Sequence, residues 1–129
     1  MMWFRERRRV NARRTHLSEV ADSVGARRGV LLAEKRTGGA GIGNSPVSLV
    51  IITLRPGSEN EVARAQIESA VSAGYTKPPE PPCSKGRGCS FYGQPHLPML
   101  TIETYSSGVP ISSFGPVPEG QTGVIISLS

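Results

Sequence analysis

Beyond residue 46, runs of apolar residues are separated by turn-forming residues and predict three main β-strands. Residues 47–54 are apolar on both faces and stop at Arg55-Pro56-Gly57, which is typical of a central strand covered by a helix on at least one side. Residues 98–105 and 122–128 alternate apolar and polar side chains, as half-buried strands do. These two strands should pair antiparallel, and residues 90–92 are a candidate for a short additional strand.

One helix is predicted over Ser58–Ala73. Ser58 is followed three residues later by Glu61, the spacing of a capping box, and Gly74 stands where a left-handed residue commonly ends a helix. Helical spacing gathers a small apolar face that should lie close to the sheet. Its members are Ala63, Ile67, Ala70 and Val71, with Val62 at the margin. The residues expected to face water are Arg64, Glu68 and Ser72.

The order of elements, β-α-(β)-β-β, predicts an α+β fold of two layers, with one helix packed on a three- or four-stranded sheet. We place this small α+β domain at residues 47–129. Residues 37–46 are rich in glycine and carry no charge, so we expect them to form a flexible linker. Residues 1–36 are then a basic N-terminal arm, partly helical or disordered.

Within the arm, the sequence predicts one local helix. Ser18 would be its N-cap, with Glu19 and Asp22 near its positive end and Gly25 just past its last turn. Apolar residues also recur every seven positions between residues 3 and 31. A coiled coil is nevertheless not expected, because the second apolar position of each heptad is mostly charged.

The net charge of +5 on the 129-residue chain is concentrated in this arm. Residues 1–36 hold ten basic and four acidic residues, whereas residues 37–129 hold five and six, so the predicted domain is nearly neutral. Such asymmetry suggests contact with nucleic acid or with an anionic membrane surface. The candidate contact residues are Arg5, Arg7, Arg8, Arg9, Arg13 and Arg14. No recognition module accompanies them, so a solvated arm without a partner is the alternative.

No stretch of the sequence is long enough for a transmembrane helix, since the longest apolar runs are residues 30–33 and 49–52. The first arginines are not followed by the apolar stretch of a secretory signal either. On these grounds alone, we expect a cytoplasmic protein.

The two cysteines are the most specific chemical feature. Cys83 and Cys89 flank five residues that include two glycines, a segment flexible enough for the two sulfur atoms to reach disulfide geometry. A disulfide would indicate an oxidising compartment, in conflict with the missing signal. The alternatives are two free thiols, or a metal site with His96. Zinc needs four ligands, and no fourth ligand is near these three in the sequence.

Other catalytic or cofactor-binding patterns fail on their context. Gly38 and Gly43 have the spacing of a phosphate-binding loop, but Asn44 replaces the lysine and a strand follows where a helix is required. His16 and His96 are far apart in the sequence, and the predicted domain contains no aspartate. We therefore predict no cofactor and no catalytic residues, and an enzyme is disfavoured.

The succession of elements also resembles a known group of proteins. A strand at residues 48–54, Arg55-Pro-Gly-Ser58 opening an alanine-rich helix, the Cys-x5-Cys loop, Phe91-Tyr92 and the terminal Val124–Leu128 strand are similar to small exported or lipoprotein-type domains of high-GC actinobacteria. The resemblance covers residues 47–128. It implies an α+β fold and a place in the cell envelope, and no catalytic residues can be carried over from that group.

Two hypotheses about function follow. The first is a non-enzymatic accessory or binding domain of bacterial envelope type, with Cys83 and Cys89 bridged and another protein as its candidate partner. The second is a cytoplasmic nucleic-acid-associated protein that contacts phosphates through the arginine-rich arm. The two hypotheses differ in compartment and in the state of the cysteines.

Overall fold

The fold is α+β, with two helices and a five-stranded antiparallel sheet. The computed structural model describes residue 12 and residues 15–38, 47–76, 89–91 and 96–129. In chain order the elements are α1 (residues 15–23), β1 (Val30–Thr37), β2 (Ser48–Pro56), α2 (Glu59–Ser72), β3 (Cys89–Phe91), β4 (Leu100–Tyr105) and β5 (Gln121–Leu128). A short 3-10 turn, Ser112–Phe114, lies between β4 and β5.

The strands lie in the order β1-β2-β5-β4-β3, so the last strand is inserted between β2 and β4. Leu128 lies opposite Leu49 of β2 on one side and opposite Leu100 of β4 on the other. The predicted antiparallel pairing of β4 with β5 is therefore confirmed, and β2 is an interior strand as its apolar pattern indicates.

The main core lies between the sheet and the two helices, which share one face of it. Alternate residues of the strands supply the sheet side, because successive side chains point to opposite faces. These are Leu49, Ile51, Phe91, Leu100, Ile102, Val124, Ile126 and Leu128. The helices and the segments that follow them supply Leu17, Val20, Ala21, Val24, Ala26, Val62, Ile67, Ala70 and Tyr75.

The prediction of one helix on three or four strands is wrong in both numbers, but the local helix predicted within the arm is present as α1. The additional elements, α1 and β1, come from the described part of the predicted arm and share the core and sheet of the other elements. Residues 15–37 therefore contribute to the same sheet and core as the elements that follow residue 47. The sequence of β1 does not alternate as a strand usually does, because β1 lies at the edge of the sheet and has a bulge between Leu31 and Ala33.

Both helices end in the same hydrogen-bonded motif. At the end of α1, Ala26 N–H donates to the Ala21 carbonyl (2.9 Å) and Gly25 N–H donates to the Asp22 carbonyl (3.1 Å), with Gly25 at φ +68°. At the end of α2, Tyr75 and Gly74 make the equivalent bonds. This is the Schellman arrangement, and it confirms the C-terminal role predicted for both glycines.

The two predicted N-caps have opposite outcomes. Ser58 caps α2 and accepts a hydrogen bond from Glu61 N–H at 3.3 Å, as the capping box predicts. Ser18 is not an N-cap, because α1 is already helical at residue 15. Instead, the Ser18 hydroxyl and carbonyl accept hydrogen bonds from Arg27.

The buried face of α2 is rotated relative to the predicted one. Val62, Ala63, Ile67 and Ala70 are buried as expected, but Val71 is 41% exposed and Gln66 is fully buried in its place. The reason is tertiary, because α2 must contact α1 and the buried Arg55 as well as the sheet.

The second face of the sheet is partly covered by the connection between β4 and β5. Ile111 and Val117 from this connection pack on Ile52 and form a small second cluster. Gly123 of β5 leaves room for them, since a Cβ at that position would lie 2.5 Å from Ile111 Cδ1. The remainder of this face is half-buried or exposed.

A buried guanidinium ties the two helices to the sheet. Arg55 of β2 is 7% exposed and donates to the Gln66 side chain, to Thr53 Oγ1 (3.3 Å), and to the carbonyls of Gly25 (3.2 Å) and Ala26 (3.3 Å). Gln66 Nε2 in turn donates to the Val24 carbonyl (2.7 Å). Burial, with a smaller effect of the nearby Arg28, lowers the pKa of Arg55 to about 10.

We predict that Arg55→Met destabilises the protein by about 3 kcal/mol, because it removes the guanidinium donor from the buried oxygen of Gln66 and from the carbonyls of Gly25 and Ala26. Urea unfolding followed by circular dichroism measures the change. Arg64→Met on the exposed side of α2 is the matched control and should cost less than about 0.5 kcal/mol. Equal costs for the two variants would contradict the structural role of Arg55.

Candidate functional site at the free edge of the sheet

The outer edge of β1 is the most accessible place for another chain to join the sheet. β1 is the terminal strand next to β2, and no described strand pairs with its other side. An outer strand presents unpaired backbone N–H and C=O groups to the solvent. At eight residues it is much longer than β3, the three-residue strand at the opposite edge.

The register with β2 fixes which face each side chain of β1 occupies. Leu31, Glu34 and Arg36 lie opposite Thr53, Ile51 and Leu49, all residues of the helix-covered face. Residues Val30, Ala33, Lys35 and Thr37 lie opposite residues of the other face. The free edge is therefore flanked by side chains on both of its sides.

The first part of β1 is apolar and exposed. Val30 is 60% exposed and Leu31 is 49% exposed, the two highest values among the large hydrophobic residues described. Leu32, beside the bulge, packs on the second cluster instead. Two neighbouring exposed apolar side chains on a free strand are an aggregation hazard unless something covers them.

The second part of β1 carries charge, and its one carboxylate is already neutralised. Arg27 Nε lies 2.7 Å from Glu34 Oε1 and Arg27 Nη1 lies 2.5 Å from Asp22 Oδ1, while Arg36 lies 3.4 Å from the other oxygen of Glu34. The hydrogen bond from Arg27 lowers the pKa of Glu34, and the same bond raises the pKa of Arg27.

The two cations of β1 are Lys35 and Arg36. Both are exposed, and they lie on opposite faces of the sheet. Lys35 makes no ion pair with any described residue, and the only carboxylate near Arg36 is shared with Arg27. The free edge is thus apolar at its beginning and positively charged at its end, a combination that suits an extended segment of another protein.

A second candidate is a shallow cleft of about 490 Å³ at the start of α2. Its lining residues are Gly57, Ser58, Glu59, Ser106, Ser107, Gly120, Gln121 and Thr122. Three of its hydroxyl groups already serve the fold: Ser58 caps the helix, Ser107 donates to Gln121 O and Thr122 donates to Gly57 O. Glu59 Oε2 is buried and makes no hydrogen bond. The cleft therefore keeps a carboxylate oxygen available to a donor, whereas three of its hydroxyl groups already bond within the fold.

The structure tests few of the predicted site residues. Cys83 lies outside the described residues, and Cys89 begins β3 opposite Ile102, so the predicted disulfide stays a prediction. The six arginines of the predicted nucleic-acid contact also lie outside the described residues. They are Arg5, Arg7, Arg8, Arg9, Arg13 and Arg14.

The two histidines, distant in the sequence, are close in space. His16 Nε2 of α1 lies 3.2 Å from the carbonyl oxygen of His96, in the connection before β4. Within the described ranges, however, no three His, Cys, Asp or Glu side chains come together as metal ligands would. The contact between the two histidine residues joins α1 to the β3–β4 connection.

Sequence reasoning missed the edge because it assigned residues 30–36 to the arm. The available signal was an apolar run at 30–33 followed at once by three charged residues.

None of the described helices is long and apolar enough to span a membrane, and the apolar run at 30–33 is too short for such a helix.

The comparisons give no family for this chain: no protein-family model matches it, and no curated protein or solved structure is significantly similar to it. The resemblance to actinobacterial envelope domains therefore stays a prediction. The geometry of the chain itself has to support any function.

We predict that the ion pairs of Glu34 stabilise the fold above the carboxyl's ordinary pKa, near 4.5, and that this contribution is lost as the pH falls below it. The sign follows from the lowered pKa, because protonating Glu34 costs more in the folded chain than in the unfolded chain. Glu34→Gln should lower stability at pH 7 by about 0.5–1 kcal/mol and flatten the acid limb of the profile.

Urea unfolding between pH 3 and pH 7 gives this profile. Glu119→Gln, at an exposed position without an ion pair to any described residue, is the control and should leave the acid limb unchanged. The same flattening in both variants would show that Glu34 has no special role.

Proposed function

We propose that this protein is a non-enzymatic binding domain of bacterial envelope type, and that it engages another protein through the free edge of β1. The observation that carries the proposal is the exposure of Val30 and Leu31 on an outer strand whose far end is positively charged. A free edge of this kind is where main-chain hydrogen bonds can supply affinity and neighbouring side chains can supply specificity.

The rest of the fold supports a binding role by holding the edge in place. β1 pairs with β2 along its length, from Val30 opposite Leu54 to Thr37 opposite Ser48. Arg27, at the start of the segment that leads into β1, is held by Ser18, Asp22 and Glu34. An edge that is ordered before binding loses less conformational entropy when a partner adds to it.

The envelope part of the proposal is supported by the spacing of Cys83 and Cys89 and by the resemblance described above. We predict that protein made under oxidising conditions contains one intramolecular disulfide. Its mass should rise by about 2 Da on reduction, and a thiol reagent should label it only after reduction. Two free thiols in that material would remove the main reason for the envelope assignment.

The proposed binding role predicts that another protein contacts β1 in cells. A photo-crosslinking phenylalanine analogue at position 31 should give a discrete covalent adduct with another protein. The matched control places the same analogue at position 71, because Val71 is 41% exposed on α2 and is comparable with Leu31 in exposure and character.

Two results decide the outcome: the position from which an adduct forms, and its dependence on Lys35. A discrete adduct from position 31 that is missing from position 71, and that is lost when Lys35→Glu is added, supports the edge as the binding surface. Identical adduct patterns from the two positions, or no adduct from position 31, would refute the proposal.

A further inference from the structure

We infer that the β1 edge selects an extended acidic segment, which adds antiparallel as a sixth strand and carries its acidic residues N-terminal to its apolar residues. This inference rests on the proposed function and specifies the partner's chemistry. It follows from the order of the two halves of β1, with Val30 and Leu31 at the beginning and Lys35 and Arg36 at the end.

The direction of the incoming strand fixes the order of its residues. Every strand pair in the described sheet is antiparallel, and antiparallel pairing is slightly more stable per residue than parallel pairing. An antiparallel partner therefore passes Arg36 and Lys35 first and reaches Leu31 and Val30 last. Carboxylates opposite the two cations, followed by β-branched side chains opposite the two apolar residues, match this edge.

The length of β1 sets the length of the recognised segment. Eight residues in a strand span about 27 Å, since each residue rises about 3.4 Å. A segment of seven to nine residues therefore covers the edge. The bulge between Leu31 and Ala33 separates the charged contacts from the apolar ones, so the partner needs a short extended spacer between its two parts.

A second copy of β1 is a poor occupant of the same edge. Two identical antiparallel strands related by a two-fold axis set their central residue opposite its own copy. Pairing centred on Glu34 or Arg36 then opposes like charges, which is destabilising. Pairing centred on Lys35 sets Glu34 opposite Arg36, but it opposes the two lysines and leaves Val30 and Leu31 without an opposite residue in β1. Pairing centred on Ala33 places the bulge at the middle of the ladder, where it interrupts hydrogen bonding.

The same charges give selectivity among foreign segments. The charges of Arg27 and Arg36 balance those of Asp22 and Glu34. The edge therefore presents Lys35 as its cation without an ion pair to any described residue, with the exposed Arg36 beside it. A basic segment would be repelled by them, whereas a neutral segment would gain only the main-chain and apolar contacts. The cations thus disfavour pairing of the edge with basic segments and favour binding of an acidic segment.

The experiment measures binding of defined peptides to the full chain by fluorescence anisotropy. The probe is a capped, labelled peptide of two aspartates, a threonine-valine-threonine spacer, and a terminal valine and isoleucine. The matched control has the same composition in reverse order. We expect the probe to bind at least about tenfold more tightly than the reversed peptide, and raising the salt to about 0.5 M should weaken it severalfold.

Charge and apolar contacts are then tested on the protein side. Lys35→Glu should weaken the probe about tenfold or more, whereas Arg64→Glu, the same change at an exposed position on α2, should stay within about twofold. Leu31→Asp should weaken binding similarly, with Val71→Asp as its control. Circular dichroism of each variant separates loss of binding from loss of fold.

Backbone methylation of the peptide separates strand addition from simple charge attraction. Methylating alternate amides in one phase removes the hydrogen bonds that face β1, and in the other phase it removes only those that face away. We expect at least about a tenfold difference in affinity between the two phases. Equal affinity for both, or displacement of the probe by a single-stranded oligonucleotide of the same charge, would overturn strand addition.

The result for the peptides is independent of the result for cellular adducts. If position 31 gives a discrete adduct and the acidic probe binds no better than its reverse, the proposed function stands and the partner chemistry inferred here is wrong. If position 31 gives no adduct, the proposed function itself fails, whatever the peptides do.

Discussion

The buried guanidinium of Arg55 is the interaction on which the arrangement of the helices depends. It lies on the helix-covered face of β2 and makes no ion pair with a described carboxylate. Its described partners are carbonyl, hydroxyl and amide oxygens. Two of those oxygens belong to Gly25 and Ala26, at the C-terminal end of α1, where the helix dipole is negative. Burial without a counter-ion is expensive, and it is tolerated here because these oxygens surround the charge.

This arrangement also determines where β1 begins. The Schellman motif at Gly25 turns the chain away from α1, and Arg55 holds the carbonyls of that turn against β2. The segment after the turn then enters the sheet beside β2, with Val30 opposite Leu54. The proposed binding edge therefore follows a segment that Arg55 and Gln66 already hold by hydrogen bonds, so the fold orders it before any partner binds.

The edge itself combines features that usually oppose each other. Natural outer strands are protected by charges, bulges and short length. β1 has the charges and the bulge, yet it is eight residues long and leaves Val30 and Leu31 exposed. A partner whose own charge is acidic resolves this conflict, because the groups that exclude a second copy of β1 are the groups that attract it.

Local chemistry made much of this fold predictable from the sequence. The strand at residues 48–56 ends at a proline and glycine, and α2 begins at the serine and glutamate of a capping box, because these residues act on their immediate neighbours. The alternation of β4 and β5 also follows from the sequence, since it reports which side chains face a core. Gly25 and Gly74, which follow the last turns of the two helices, were predictable for the same reason.

Only the tertiary structure decided the role of residues 15–37 and of two polar residues in the core. An edge strand with a bulge lacks regular alternation, so β1 resembled the charged arm before it. Arg55 and Gln66 have no sequence signal for burial, because what permits it is a set of carbonyls contributed by a distant helix end. The sequence by itself determined the elements with local signals, while long-range hydrogen bonds and packing placed β1 at an edge of the sheet, where no described strand pairs with its outer side.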